Sequence, residues 1–329
     1  MVEQPEGVRA IVQAGYGGVE VWSLGRAAVP APKAGEVLLR VHAAGMDRGT
    51  WHLMTGLPYP MRLAFGFSAP KFSVPGRDVA GTVLAVGPGV DRLQPGDEVF
   101  GIAEGSFAEQ AVAREDKLAK KPGSLSFTEA AVLGISGLTA LQALDAAKVA
   151  AGDSVLVLGA SGGVGSYAVQ LARARGARVT AVCGASKAER VRAWGAERVI
   201  DYRTEDVMAG DARFDVVIDV AGNTPLGRLR GVLTEKGRVV FVGGEEGGDW
   251  TGGLGRPLFA SMLGAFTGQK FVMFMAEEKA ADLERLAALV AEGHVRPVVH
   301  SAVPLADTAG AMRALIAGEV CGKQAIVVD

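Results

Sequence analysis

Length, composition and charge limit what this chain can be. At 329 residues the chain is longer than a typical domain with a single hydrophobic core, so we expect two domains. Although 49% of the residues are hydrophobic, no uncharged apolar run reaches the roughly 18 residues that a membrane-crossing helix needs. The formal net charge is -2 with both signs scattered, unlike a nucleic-acid or anionic-lipid binder. We therefore expect a protein that acts on a small molecule, without nucleic-acid or membrane partners. Since the N-terminus lacks a secretory signal pattern, we expect it in the cytoplasm.

Cysteine and histidine usage argues against two further classes. Cys183 and Cys321 lie far apart, and neither belongs to a Cys-x-x-Cys pair, so the sequence predicts no disulfide framework and no zinc finger. The four histidines show no spacing typical of a metal site. We therefore expect no structural zinc.

The first third of the chain predicts a small β-rich domain. Between Arg9 and Phe107, short runs of β-branched and aromatic residues alternate with turn signals. Gly87-Pro-Gly and Gln94-Pro-Gly-Asp mark two of these turns, because glycine accepts positive φ and proline presets its own.

The pattern changes after Leu125. Residues 126–147 are rich in Ala and Leu with helical periodicity, and they begin with the capping-box sequence Ser126-Phe-Thr-Glu129. Apolar strands and amphipathic helices then alternate, which is typical of a parallel sheet covered on both faces. We therefore predict an α/β, doubly wound nucleotide-binding domain. Its predicted strands begin at Ser154, Arg178, Arg198, Phe214 and Gly237, and its predicted helices cover 164–175, 186–194 and 225–233.

Beyond this array the chain returns to mixed elements. The Gly-rich segment 243–255 predicts a mobile loop, and 271–275 a last strand. Because the tail ends in short β segments, we expect it to fold back onto the β-rich domain. Helices are predicted over 278–292 and 307–316, and β runs over 295–303 and 324–328.

The strongest motif is the glycine-rich loop Gly159-Ala-Ser-Gly-Gly-Val-Gly165, which stands between the first strand and the first helix of the array. A pyrophosphate can approach only where side chains are absent, and backbone N–H groups at a helix start can hold it. In this position the pattern predicts a dinucleotide-binding site, the alternative being a tight turn that binds no ligand. The predicted contacts are Ser161, Gly162, Gly163, Val164 and Gly165.

The segment after the second strand predicts which dinucleotide binds. An NAD enzyme normally offers Asp or Glu to the ribose there, but residues 181–187, Ala-Val-Cys-Gly-Ala-Ser-Lys, contain no acid. Ser186 can hydrogen-bond a 2'-phosphate and Lys187 can neutralise it, which favours NADPH over NADH. Alternatively, Ser186 caps the next helix and Lys187 is a solvated surface charge.

With these motifs placed, most of the chain resembles the medium-chain dehydrogenase/reductase superfamily, which includes zinc alcohol dehydrogenases and zinc-free quinone oxidoreductases. The resemblance implies a GroES-like domain made of residues 1–126 and 277–329, a Rossmann domain over 127–276, and an active site between them. A homodimer is the default assembly. The matching stretches are Gly76-Arg-Asp-Val-Ala-Gly81, Pro95-Gly-Asp-Glu-Val99, the glycine-rich loop, and Gly195 to Tyr202.

The zinc-binding positions of these relatives are changed here. Where zinc enzymes carry Cys, His and Cys or Asp, this chain has Asp47, Arg77 and Ile135, which cannot supply a ligand set. Without a Lewis acid to acidify the alcohol, simple alcohol oxidation is disfavoured. We therefore expect a zinc-independent enzyme that moves hydride from NADPH to a quinone or an α,β-unsaturated carbonyl.

The resemblance also implies roles for individual residues. Thr139 should face the nicotinamide ring, although it could instead bond its own preceding helical turn. Lys187 and Tyr202 should grip the 2'-phosphate, the alternative for Tyr202 being a half-buried aromatic. The segments expected to line the nicotinamide pocket contribute Ala221, Asn223, Val242 and Gly243.

The same resemblance places three residues in the loop that lines the substrate cleft. These catalytic candidates are Asp47, Thr50 and His52. His52 is the first candidate for a proton donor, against the usual fate of a lone histidine, a structural hydrogen bond. A salt bridge from Asp47 to Arg48 or Arg77 is the alternative for Asp47. Trp51, Tyr59, Phe65 and Phe67 are expected to give the substrate cleft an aromatic character, with core packing as the alternative.

Two other functions remain open. The protein could be an NAD(P)-dependent alcohol dehydrogenase that recruits a metal through Asp47 and Asp78. It could also be a non-catalytic NADPH-binding redox sensor.

Overall fold

The computed structural model describes residues 7–29, 31–222, 224–243, 248–251, 260 and 268–328. Asn223 and most of the Gly-rich segment 243–255 lie outside these residues. The described chain divides into two compact units. The β-rich unit takes the described residues of 1–135, 278–292 and 297–329, and the parallel-sheet unit takes those of 136–277 and 293–296. No helix in the described part of the chain is long and apolar enough to cross a membrane.

The β-rich unit is built around a sheet that contains seven strands in the described residues, in the order β14-β15-β3-β4-β5-β7, with β6 paired to β3. The last strand, β15, pairs antiparallel with β3, so that Gln324 lies opposite Met46. The tail therefore folds back as predicted. The elements are β1 Val8–Gln13, β2 Trp22–Ala27, β3 Glu36–Met46, α1 Arg48–Thr55, α2 Arg62–Phe65, β4 Asp78–Val86, β5 Glu98–Ile102, β6 Gln110–Arg114, β7 Leu118–Lys120, α3 Phe127–Ala131, α9 Ala280–Ala291, β14 Val299–Pro304, α10 Thr308–Ile316 and β15 Lys323–Val327.

The parallel-sheet unit has the predicted doubly wound α/β plan. Its strands run in the order β10-β9-β8-β11-β12-β13, six strands in the described residues, and every pairing is parallel. Counted from β8, this is the order 3-2-1-4-5-6 of a Rossmann sheet. The elements are β8 Ser154–Leu158, α5 Gly163–Ala174, β9 Arg178–Cys183, α6 Ala188–Ala193, β10 Arg198–Asp201, β11 Phe214–Asp219, α7 Leu226–Gly231, β12 Leu233–Phe241, α8 Gly248–Thr251 and β13 Lys270–Met273; α4, Gly134–Ala146, begins at the end of the β-rich unit.

Two local predictions need correction. The helix predicted over 126–147 is two helices, α3 and α4, which break where a side chain on Gly134 would collide with Asp78 Oδ1. The capping box at the start of α3 is confirmed, with Ser126 and Glu129 bonded reciprocally. Ser186 does not cap the following helix. It lies in a 3-10 turn, Ala185–Lys187, in which the Lys187 N–H donates to the Gly184 carbonyl, so the turn itself leads into α6.

Candidate functional site

The glycine-rich loop leaves the sheet where its strand order reverses. β8 lies between β9 and β11, and Gly159 follows β8 with φ +79°, a conformation that favours glycine. A Cβ on Gly159 would lie 3.1 Å from the Ala221 nitrogen, in the segment after β11. The loop therefore occupies the crevice at the carboxyl ends of the strands, where sheets of this kind bind ligands.

The start of α5 leaves backbone space for an anion. Gly162 is the N-cap of this twelve-residue helix, and a Cβ there would meet only the Gly159 oxygen, at 3.6 Å. A Cβ on Gly165 would overlap that same oxygen and lie 2.7 Å from Ala160 Cα, so only glycine lets the helix pack this closely. The predicted contacts Ser161, Gly162, Gly163 and Val164 are half-buried, whereas Gly165 is buried. The geometry fits a pyrophosphate at the helix N-terminus.

A second group of predicted residues lies along the same edge of the sheet. The Val242 and Gly243 N–H groups donate to the Asp219 carbonyl oxygen at 3.0 and 3.1 Å. The Ala221 N–H donates to the Leu158 carbonyl at 3.2 Å. Because Leu158 and Asp219 end β8 and β11, these three residues are brought together with the glycine-rich loop.

Two other cofactor contacts were predicted, Thr139 and Asn223. Thr139 lies in α4 and is half-buried. Asn223 lies outside the described residues. Their expected roles beside the nicotinamide stay predictions.

The adenosine end of the candidate site lies beyond β9 and β10. Their pairing sets Asp201 opposite Cys183, which brings the following residues Tyr202 and Gly184 together. A Cβ on Gly184 would lie 3.8 Å from the Tyr202 ring and 4.0 Å from an Arg203 guanidinium nitrogen. Tyr202 is 59% exposed, so the alternative of a half-buried aromatic is wrong.

Arg203 is a functional candidate that the sequence reasoning missed. Its guanidinium lies 5.4 Å from the centre of the Tyr202 ring, which is within range for a cation–π contact. Ser186 is exposed and Lys187 half-buried on the 3-10 turn that follows Gly184. The available signal was the cation directly after Tyr202 in the sequence. The candidates at this end are thus Lys187, Arg203 and the Tyr202 phenol, and residues 184–187, which follow β9, contain no acid.

The first catalytic candidates form a helix cap. Asp47 is the N-cap of α1, and its Oδ1 accepts hydrogen bonds from the Thr50 backbone N–H at 2.8 Å and from the Thr50 hydroxyl at 3.0 Å. Thr50 is fully buried. Its hydroxyl already donates to Asp47, and a catalytic role for Thr50 stays a prediction. Such capping satisfies free amides at the helix start.

The His52 side chain contacts a backbone carbonyl and an aromatic ring. Its Nδ1 lies 2.7 Å from the Leu57 carbonyl oxygen, an acceptor, so the proton of the neutral ring resides on Nδ1. The Trp51 ring meets the imidazole edge-on, with the ring centres 4.9 Å apart. His52 is half-buried. A structural hydrogen bond is thus present, and Nε2 is the ring nitrogen left for proton exchange.

Asp47 belongs to a buried ionic cluster whose cation the sequence reasoning missed. The Lys323 ammonium donates to Asp78 Oδ2 and lies 3.6 Å from Asp47 Oδ2. Asp78 Oδ1 accepts from the Ile135 N–H at 2.6 Å. The expected pairing of Asp47 with Arg48 or Arg77 is therefore wrong. We call Asp47, Asp78 and Lys323 the buried triad.

Arg77 and Arg48 have other partners. The Arg77 guanidinium pairs with Glu278 at 2.9 Å and with Glu104 at 3.2 Å. The Arg48 guanidinium lies over the Trp51 ring, 5.4 Å from its centre. Neither arginine was needed to balance Asp47, because β15 supplies Lys323 from the far end of the chain.

The triad is almost closed to water. The exposed fraction of the side chain is 2% for Lys323, 0% for Asp78 and 9% for Asp47. Burial raises the pKa of Asp78 to about 6, against the opposing Lys323 ammonium and with further support from the Asp47 charge. Burial opposes the charged form of Lys323, but the two carboxylates raise its pKa overall.

The segments that resemble zinc-ligand positions do meet in space. Asp47 and Asp78, the residue after Arg77, belong to the triad, and the Ile135 N–H donates to Asp78. Within the described ranges, no group of three or more His, Cys, Asp and Glu side chains could hold a metal ion. The positive group at this point is the Lys323 ammonium.

The β-rich unit has a pocket of about 420 Å³, a volume that includes open solvent, and one of its lining residues, Arg77, directly precedes Asp78 in the chain. Its walls are mainly apolar, with two aromatic rings. Of the four aromatic residues expected in the substrate region, Phe65 lines this pocket, whereas Tyr59 and Phe67 are exposed. The lining residues are Gln13, Leu53, Phe65, Pro70, Lys71, Phe72, Val74, Pro75, Gly76, Arg77, Glu104 and Gly105.

Comparisons with known proteins agree with this architecture. The family model described as "Alcohol dehydrogenase GroES-like domain" matches residues 33–123, and "Zinc-binding dehydrogenase" matches 194–327. A chloroplast envelope quinone oxidoreductase homolog from Arabidopsis thaliana is 35% identical over 316 residues, which cover 92% of each chain. The quinone oxidoreductase of Rattus norvegicus is 33% identical and covers 94% of each chain.

The solved structures give the same result. The quinone oxidoreductase from Coxiella burnetii superposes with a TM-score of 0.86 at 28% identity, over 98% of this chain and 99% of that one. The chain therefore belongs to the medium-chain dehydrogenase/reductase superfamily, in its quinone oxidoreductase branch. It is an oxidoreductase of this type, and the family uses a nicotinamide cofactor.

Proposed function

We propose that the protein transfers hydride from NADPH to a quinone or an α,β-unsaturated carbonyl, without zinc. The observation that carries this proposal is a pair of features. Residues 184–187 after β9 contain Lys187 but no acid, and Arg203 lies against the Tyr202 ring nearby. The Lys323 ammonium pairs with Asp47 and Asp78, which lie in the segments that resemble zinc-ligand positions.

The choice of NADPH rests on charge. A 2'-phosphate gains charge-assisted hydrogen bonds from Lys187, Arg203 and Ser186, whereas an NAD enzyme places a carboxylate there to receive the ribose hydroxyls. That carboxylate is missing from the end of β9. The phosphorylated cofactor is therefore the better match.

The chain's own residues bind, orient and exchange protons. The amides at the start of α5 hold the pyrophosphate, and the Gly165 contact keeps this helix close to β8. Bound NADPH supplies the hydride. The reduced acceptor is then an anion that needs one proton, and His52 Nε2 can deliver it when the ring is protonated, while Nδ1 stays bonded to Leu57.

The acceptor's planar, apolar part suits the pocket lined by Leu53, Phe65 and Phe72. Its two aromatic rings favour a flat occupant. Arg77 and Lys71 line the same pocket and can compensate negative charge on the reduced acceptor.

Turnover tests this function. We expect the purified protein to oxidise NADPH steadily with short-chain quinones or enones, and more efficiently than NADH, with no loss of rate after dialysis against a strong zinc chelator. NADPH binding without turnover across the panel would favour the redox-sensor alternative. Stoichiometric zinc together with alcohol oxidation would favour an alcohol dehydrogenase.

A further inference from the structure

The buried triad joins three distant parts of the chain in the β-rich unit. Lys323 opens β15, Asp47 follows β3, and Asp78 opens β4. Two carboxylates face one ammonium, and in the described residues Asp47 Oδ2 accepts no hydrogen bond, although it lies 3.6 Å from the Lys323 nitrogen. Charges buried this deeply are stable only when each has a partner, so the single cation serves both anions.

Each carboxylate is tied to one wall of the pocket. Asp47 caps α1, and Leu53 of that helix lines the pocket. Asp78 comes directly after Gly76 and Arg77, which line the pocket from another side. Lys323 contacts both carboxylates but is not itself among the lining residues.

The backbone around the triad is fitted to this arrangement. A Cβ on Gly45 would lie 2.8 Å from Asp78 Cβ, and one on Gly134 would collide with Asp78 Oδ1. The backbone at Gly45 and Gly134 therefore restricts the position of the Asp78 side chain. Its Oδ1 accepts from Ile135, and its Oδ2 accepts from the Lys323 ammonium.

We propose that Lys323 is a positioning residue for the acceptor pocket: its ammonium draws Asp47 and Asp78 together and so fixes the distance between α1 and the segment before β4. The assignment rests on the proposed function for the identity of the pocket's occupant. Removing the cation removes the attraction that holds both acidic side chains at one point, and it favours a proton on Asp78, whose pKa the Lys323 charge lowers. The two walls of the pocket then lose their link. The cofactor loop in the other unit is not part of this linkage.

The test compares Lys323→Met with Lys121→Met. Lys121 is the matched control because it is also a nearly buried lysine of the β-rich unit, with 5% of its side chain exposed. It bonds the Leu125 carbonyl at 2.7 Å and Glu98 at 3.1 Å and has no role in the pocket. Both substitutions remove a buried charge, so both are expected to lower the melting temperature. Only Lys323→Met changes the link between the pocket walls.

For Lys323→Met we expect the KM for a short-chain quinone to rise on the order of tenfold, because small displacements of a positioned group are costly. The kcat and the Kd for NADPH should change less than about threefold. Lys121→Met should keep the KM of the unchanged protein. An equal KM for Lys323→Met, or an equal rise in both variants, would overturn the proposal.

Amide hydrogen exchange gives a readout that does not need turnover. In Lys323→Met we expect faster exchange in α1 and in 74–79, with unchanged exchange at the start of α5; Lys121→Met should leave both pocket segments unchanged. If the unchanged protein turns over no acceptor while this exchange pattern appears, the proposed function fails and the linkage stands. If turnover is present but exchange in α1 and 74–79 is unaltered by Lys323→Met, the linkage fails.

A third variant checks the route through Asp47. Asp47→Asn keeps an oxygen to accept from Thr50 but removes the charge that faces Lys323. If Lys323 acts through this carboxylate, the KM of the Asp47→Asn and Lys323→Met double variant should be close to that of Lys323→Met alone. Multiplied effects of the two substitutions would contradict this route.

Discussion

The regions proposed to bind the cofactor and the acceptor are built in different ways. In the parallel-sheet unit, the site consists of backbone amides and glycines that lie within a few residues of one another, from Gly159 to Gly165. In the β-rich unit, the positions of Asp47 and Asp78 depend on Lys323, which comes from the last strand. The first site is a local property of the sequence, whereas the second exists only once the sheet has closed.

The largest expected effect tests the local site. Gly165→Ala places a Cβ on the Gly159 oxygen and near Ala160 Cα, so α5 must move away from β8. We expect NADPH affinity to fall by about two orders of magnitude or more, because the amides no longer converge on the pyrophosphate. The dissociation constant is measured by titrating the protein with NADPH and following its intrinsic fluorescence.

Gly231→Ala is the control for this substitution. Gly231 ends α7 in the same unit, and a Cβ there meets nothing within 4 Å. NADPH affinity should stay unchanged. Equal affinities of the two variants would show that the close packing at Gly165 is not needed for binding.

The next effect concerns the adenosine end. We expect Lys187→Ala and Arg203→Ala each to weaken NADPH binding about tenfold, the scale of one charge-assisted phosphate contact. NADH has no 2'-phosphate, so its affinity should change little. The measurement is the ratio of the two dissociation constants for each variant.

Lys236→Ala serves as the control, since Lys236 is an exposed cation of the same unit. Its ratio should match that of the unchanged protein. Equal losses of NADPH and NADH affinity in Arg203→Ala would instead indicate a structural role for Arg203.

How far the sequence could be interpreted follows the same division. The glycine-rich loop, the alternation of strands and helices and the capping box at Ser126 were predictable because each depends on neighbours in the sequence. The partner of Asp47 was not, because charge pairing across a sheet depends on register, and arginines at 48 and 77 stood nearer in sequence than Lys323. The place of Thr50 in the helix cap was not predicted, because a threonine three residues after an Asp can be a substrate contact or part of a cap.

A smaller effect probes the charge of the buried triad. Burial raises the pKa of Asp78 to about 6 from 3.8, so the folded protein holds a proton there that the unfolded chain releases between these values. Folding stability from this group is therefore present at low pH and is lost as pH rises toward and past 6. Lys323 and Asp47 are the charged groups that face it.

Asp78→Asn removes this titration while its side-chain oxygen can still accept from the Ile135 N–H. We expect the free energy of unfolding of the variant, relative to that of the unchanged protein, to rise between pH 5 and pH 7.5. The melting temperatures of the two proteins over this pH range measure this change. The change is on the order of 1 kcal/mol, since one pKa unit corresponds to about 1.4 kcal/mol. A relative stability that stays constant or falls over this range would contradict the assigned titration.

The smallest expected effect returns to a locally encoded feature, but now in the β-rich unit. Ser126 Oγ accepts from the Glu129 N–H at 3.2 Å, and the Glu129 carboxylate accepts from the Ser126 N–H at 2.9 Å. Ser126→Ala removes the cap and should cost about 1 kcal/mol of unfolding free energy, measured by denaturant titration. Because this cap does not touch the triad, the KM for the acceptor should not change, unlike that of Lys323→Met. A raised KM in Ser126→Ala would mean that any loss of stability in this unit loosens the pocket, and the contrast between local packing and the Lys323 linkage would disappear.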